Sequence, residues 1–118
     1  MATYGKNMKW TVGVDHRDQM RKAMEVGLGV SRKPGDGKVD IYPFPNDSWV
    51  AIEFVNASDA LTPDQLRRAP WLEFLVDDVD ATVKRLSDTP AKRIDYTDKT
   101  HAYFQLPGGP VFRIAKSA

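Results

Sequence analysis

Lys9, Glu53, Glu73 and Arg113 are charged residues that alternation places on strand faces rather than in loops. Each lies in a run whose apolar residues recur at every second position, so it shares a face with neighbours two residues away. Trp49, Trp71 and Tyr103 fall on the same faces, with Tyr42 close by. Two cations and two carboxylates among aromatic rings can neutralise one another, Lys9 with Glu53 and Arg113 with Glu73, as partly buried charges require. They can also orient a ligand. A guanidinium such as Arg113 grips a carboxylate or phosphate with two parallel donors, while a flat apolar body stacks on the Trp and Tyr rings. The two readings are compatible, because a pre-formed ion pair can open to admit a ligand.

Other chemistry is thinly represented. There is no cysteine, which excludes disulfides, thiolate metal sites and thiol catalysis. His16 falls where a helix begins and reads as a solvated helix-end residue. His101 begins a strand and reads as a rim residue. Together with Glu53 and Glu73 it could still make a non-standard metal site. Ser31, Ser48, Ser58, Ser87 and Ser117 fall in turns, connectors or the tail, so no nucleophile–base pair stands out and no catalytic residue is assigned. The paired glycines of Leu106-Pro-Gly-Gly-Pro110 precede a strand rather than a helix, so they make a hairpin turn and not a phosphate cradle. Arg32-Lys33 and Arg67-Arg68 read as solvated surface. No cofactor is called for.

Composition sets the outer bounds. The 118 residues suffice for one domain with one core, spanning 1–118. Seventeen basic against sixteen acidic residues leave a net charge of +1, which supplies no field for nucleic acid. No apolar run is long enough to span a membrane. The first residues, Met-Ala-Thr-Tyr-Gly-Lys, lack the apolar core of a secretory signal, so a soluble, cytoplasmic protein is expected.

The elements that must position these residues follow from periodicity. Lys9 to Val14 reads as a strand. His16 to Val26 reads as a helix capped by Asp15, with Met20, Ala23, Met24 and Gly27 as its buried stripe. Val30 to Lys33 is a weak strand candidate, and Pro34-Gly35-Asp36-Gly37 a turn. Val39 to Phe44 and Trp49 to Val55 are strands. Thr62 caps a short linker helix with Pro63 at its first position. Trp71 to Val76 is a strand that feeds directly into a helix, with Asp77 and Asp78 offering the cap and Val79, Val83 and Leu86 the buried stripe. Lys92 to Tyr96, His101 to Leu106 and Val111 to Lys116 complete the pattern. Val14 and Val76, like Glu53 and Arg113, are offset by about 60 positions, the mark of an internal repeat. The expected fold is α+β: two tandem βαβββ modules, about 8–56 and 71–116, joined by a linker helix within about 57–70. Their curved mixed sheets carry helices on the outer face, and the helix-free faces form a cup.

At this point the chain resembles the vicinal oxygen chelate superfamily, which includes glyoxalase I, bleomycin-resistance proteins, fosfomycin-resistance enzymes and extradiol dioxygenases. Val76-Asp-Asp-Val-Asp-Ala-Thr-Val-Lys-Arg-Leu86 is similar to its strand-to-helix passage. Ala102-Tyr-Phe-Gln-Leu-Pro-Gly-Gly-Pro-Val-Phe-Arg-Ile114 is similar to its closing hairpin, and Trp49-Val-Ala-Ile-Glu-Phe-Val55 matches more loosely. The resemblance implies a divalent metal held in the cup by one residue from the first and one from the last strand of each module. Those positions fall on Lys9, Glu53, Trp71 and Arg113. Only Glu53 is a ligand type. Ammonium, guanidinium and indole offer donors and no free lone pair. At about 5 Å and an effective dielectric of about 20, each cation would repel a unit charge by roughly 3 kcal/mol, and a divalent ion by about twice that.

The expectation is therefore a small-molecule-binding protein of the bleomycin-resistance kind, without the usual metal site. Lys9, Trp49, Glu53, Trp71, Glu73, Tyr103 and Arg113 would hold a small organic ligand. The alternatives are a metal-dependent lyase, isomerase or dioxygenase with a rearranged site, and a module whose cup is closed by ion pairs and which serves a partner protein. The resemblance also implies a homodimer, with cups often completed across subunits.

Overall fold

The computed structural model describes residues 1–118. The chain is α+β, with two mixed sheets. Strands β1 (Asn7–Gly13), β2 (Val39–Pro43) and β3 (Trp49–Val55) form a three-stranded sheet in the order β1-β3-β2. Strands β4 (Leu72–Val76), β5 (Lys92–Ile94), β6 (Ala102–Gln105) and β7 (Val111–Lys116) form a four-stranded sheet in the order β4-β7-β6-β5. In each sheet the first strand of the module runs parallel to the last, and the other pairings are antiparallel.

Helices cover one face of each sheet. The first begins as a 3-10 turn (Val14–His16), continues as α1 (Arg17–Lys22) and ends as a π-helical segment (Ala23–Gly27). Its stripe Met20, Ala23, Met24 and Gly27 is buried. Asp15 does not cap it: no side-chain cap bond forms, because the chain is already helical at Val14. Helix α3 (Val79–Ser87) is capped by Asp78, whose carboxylate accepts the Ala81 amide at 3.0 Å. Gly27 lets the two helices meet, since a Cβ there would stand 2.6 Å from Leu86 Cδ2.

One core serves both modules. Trp10, Val12, Ile52, Met20 and Met24 from the first share it with Leu86, Phe104, Phe112 and Ile114 from the second. A chain of aromatic rings crosses the boundary. Phe104 stacks on Phe112 at 6.1 Å, Phe112 meets Phe74 at 5.1 Å, and Phe74 meets Phe44, just past β2, at 5.9 Å.

The first module has three strands rather than four. Around Val30–Lys33 a single ladder-like bond forms, from the Lys33 amide to the Ile41 carbonyl at 2.9 Å. Pro34 has no N–H to extend it, and Gly37 turns the chain away with φ +84°. Strand β5 is also shorter than the pattern suggested, which frees Asp95 and Tyr96 to shape a loop.

The linker is folded. Helix α2 (Pro63–Leu66) carries a capping box in which Thr62 accepts the Gln65 amide and the Gln65 side chain accepts the Thr62 amide. Gln105, buried on β6, fixes this segment to the last hairpin. Its amide donates to the carbonyls of Pro63 and Gly109 at 3.0 and 3.2 Å, and its oxygen accepts Arg67 Nε at 3.0 Å.

Candidate functional site

Each sheet keeps one face free of helix, and the residues with chemistry divide between those two faces. On the first sheet, Thr11 pairs with Glu53 and Lys9 with Ala51, so Lys9 and Glu53 are diagonal neighbours. Their side chains form an ion pair at 2.7 Å. Trp49 is 39% exposed at the start of the same strand.

The other four candidates come together on the second sheet. Tyr103, Arg113 and Glu73 stand in one cross-strand row. Arg113 Nε donates to Glu73 Oε2 at 2.6 Å. The Tyr103 hydroxyl and the Glu73 carboxylate raise the guanidinium pKa above its ordinary value. Trp71 lies beside this row, and its indole N–H donates to the Arg67 carbonyl at 2.9 Å, so the linker sets the ring's position. The row and the ring line an open hollow of about 370 Å³ with Leu72 and Tyr96.

Two members of this site lie outside the sequence-based set. Tyr96 meets Trp71 edge-on at 4.7 Å and Tyr103 at 5.0 Å, which completes a three-ring wall. Asp98 accepts the Tyr103 hydroxyl at 2.9 Å and bonds His101 Nδ1 at 2.8 Å. Both lie in the loop between β5 and β6. The run Thr97-Asp98-Lys99 reads as a turn, but the link from Asp98 to Tyr103 has no signal in the sequence. A second hollow, of about 260 Å³, shares Tyr96 and Tyr103 with the first and is also lined by Asp95, Asp98, Lys99 and His101.

Asp98 is strongly altered by its setting. The hydroxyl and then the amide of Thr100, followed by Tyr103 and His101, donate to its carboxylate and hold it well below the usual carboxylate range. Burial pushes the Tyr103 phenol up, and its bond to Asp98 adds to that. Because the folded state depresses the Asp98 pKa, the stabilisation is present above the unfolded value of about 4 and is lost as pH falls below it. Asp98→Asn should therefore unfold at lower urea than the parent at neutral pH. The two midpoints should converge when the measurement is repeated well below pH ~4.

The residues at the four metal positions implied by the resemblance do not fit a divalent ion. Lys9 and Arg113 are cations, Trp71 has given its N–H to a carbonyl, and Glu53 is engaged by Lys9. Nor do Glu53, Glu73 and His101 converge, since no three His, Cys, Asp or Glu side chains meet in metal-binding geometry.

No protein-family model matches the sequence, and no curated protein matches it by sequence. Solved structures do match over the whole chain. The fosfomycin resistance protein FosX from Mesorhizobium loti superposes with a TM-score of 0.71 at 16% identity, covering 100% of this chain and 95% of that one. FosX from Listeria monocytogenes, as an E126Q mutant complexed with Mn(II) and 1S,2S-dihydroxypropylphosphonic acid, gives 0.74 at 13%, covering 100% and 93%. A glyoxalase-related enzyme from Fulvimarina pelagi gives 0.74 at 15%, covering 98% and 89%. The duplicated strand–helix–strands order, the parallel pairing of first and last strands, and these superpositions agree: the chain has the fold of the vicinal oxygen chelate superfamily.

Proposed function

We propose that the protein binds a small planar organic molecule in a cup of this fold that does not use the usual metal. The observation that carries this reading is the state of the four implied metal positions: two cations in ion pairs, one indole, and one carboxylate already facing an ammonium. The wall of Trp71, Tyr96 and Tyr103 supports a flat ligand, and Arg113 supports one that carries an anionic group. The cup is completed by a second copy of the chain. In support, both helix-free faces leave apolar side chains open, with Trp49 39% exposed on one and Leu75 60% exposed on the other. No helix is long and apolar enough to cross a membrane, and we place the protein in the cytoplasm.

A panel of planar aromatic acids titrated against Trp fluorescence tests the reading. A binder should quench emission, and Arg113→Ala should weaken its affinity about 10-fold or more, the loss expected for a charge-assisted hydrogen bond. Light scattering should return a dimer, and Leu75→Glu should shift it toward monomer. A panel that moves neither emission nor melting temperature would count against the whole reading. The FosX structure with Mn(II) favours a second reading, a metal-dependent lyase, isomerase or dioxygenase with a rearranged site. Elemental analysis of protein purified without chelator separates the two, since a stoichiometric divalent ion lost in Glu53→Gln would establish the second.

A further inference from the structure

The loop between β5 and β6 holds more than a turn requires. Asp98 uses Oδ1 for the turn itself, accepting the Thr100 amide at 2.9 Å and the Thr100 hydroxyl at 2.5 Å. That leaves Oδ2 free of the loop backbone. It is taken instead by His101 Nδ1 at 2.8 Å and by the Tyr103 hydroxyl at 2.9 Å, with Arg113 Nη1 3.9 Å away. An ionised carboxylate can only accept, so Nδ1 is the nitrogen that carries the proton. The Thr100 oxygen, 3.0 Å from Nδ1, has given its own hydrogen to Asp98 and presents a lone pair there, which agrees with that tautomer.

The consequence lies on the other side of the ring. In the neutral Nδ1–H tautomer the lone pair lies on His101 Nε2, which makes no hydrogen bond or ion pair. The imidazole is 30% exposed and lines the 260 Å³ hollow together with Tyr96 and Tyr103. Those two rings also line the neighbouring hollow with Trp71 and Arg113. A planar molecule spanning Tyr96 and Tyr103 from one hollow into the other would reach the imidazole. The other charges around the ring are largely paired or stacked: Lys99 with Asp95, Arg113 with Glu73, and Arg93 over the Phe104 ring at 5.2 Å.

The geometry points to His101 as a metal-independent general base, positioned by Asp98, for proton transfer on a planar conjugated ligand. Nε2 takes a proton from carbon, the C–H electron pair passes into the conjugated system, and the imidazolium returns the proton to a different atom of the same molecule. That is an isomerisation, and it consumes no other reactant. The inference rests on the reading of the aromatic wall as a ligand site, so its test has one arm for binding and others for the base.

The probe is a nitrobenzisoxazole, a flat aromatic whose ring-opening needs only a base. Nε2 removes the C–H proton, that electron pair becomes the third bond of a nitrile, the N–O bond breaks, and its electrons leave on the coloured phenolate oxygen. The protein should turn the probe over saturably at least about 100-fold faster than buffer, the lower range for a positioned base. His101→Gln should fall to the buffer rate. Asp98→Asn should lose about 10-fold or more, and nitrogen NMR should show the single Nδ1–H tautomer of the parent become a mixture. Quenching of Trp emission by the probe reads binding separately. Binding without turnover, turnover that survives His101→Gln, or a parent imidazole protonated on Nε2 would each overturn the base and leave the ligand site standing. Neither binding nor turnover would overturn both.

Discussion

Phe112→Ala should lower the free energy of unfolding by about 4 kcal/mol, the usual loss for deleting a buried phenyl ring and leaving a cavity. Phe112 has no exposed surface and sits in the middle of the ring chain that runs from Phe104 through Phe74 to Phe44. The first two of those rings belong to β6 and β4 and the last to the first module, so the cavity opens where the modules share their core. The loss should reach both. Urea unfolding followed at Trp10 in single-Trp variants should shift by as much as unfolding followed at Trp71, in one transition. Two separate transitions in the parent would show that the modules fold independently and that the shared core does not couple them. A domain of this size has roughly 5–15 kcal/mol in all, so about a quarter or more of its stability is at stake.

Asp40→Ala should cost about 3 kcal/mol, toward the lower end for breaking a buried ion pair. Asp40 is buried under the first helix, and Arg21 grips it with two donors, Nε at 2.8 Å and Nη2 at 2.9 Å. The carboxylate's hydrogen bonds raise the Arg21 pKa further above its ordinary value, which is the same attraction seen from the other partner. Arg32 stands 4.0 Å from Oδ1, which also accepts Arg21 Nη2, and Tyr42, two residues along the strand from Asp40, donates to Glu25 at 2.8 Å. Burial and that bond push the Tyr42 phenol far above its usual range. These contacts tie the helix to the sheet. Because Arg21 is partly exposed, its guanidinium can recover some hydration when Asp40 is lost, which limits the penalty. Replacing both partners by leucine should restore most of the loss, since no charge is then left alone. Equal destabilisation in the single and double variants would mean that packing, not charge, sets the value.

The second module was nearly transparent in its sequence. From Leu72 to Leu86 the apolar period changes from two to helical spacing at a pair of aspartates, and Asp78 is the residue that caps. The first was harder to read. Val30 to Lys33 is only a weak strand candidate ahead of a proline that has no N–H, and its single ladder-like bond depends on where β2 lies. Pairing within each sheet was also legible: strand parity puts Lys9 on the face of Glu53 and Arg113 on the face of Glu73, and the ion pairs were one of the two readings those faces allowed. The contacts around Asp98 were not. They join a loop carboxylate to a tyrosine five residues on and an arginine on the next strand, and they depend on how far β5 runs before it turns.

Gln105 has one more implication. With both ends of its amide engaged, it clips residues 63–67 to the final hairpin, while the Trp71 indole holds the Arg67 carbonyl. Residues 63–67 therefore travel with the second module, so any slack between the halves lies upstream of Pro63, and the core that both halves share resists their separation.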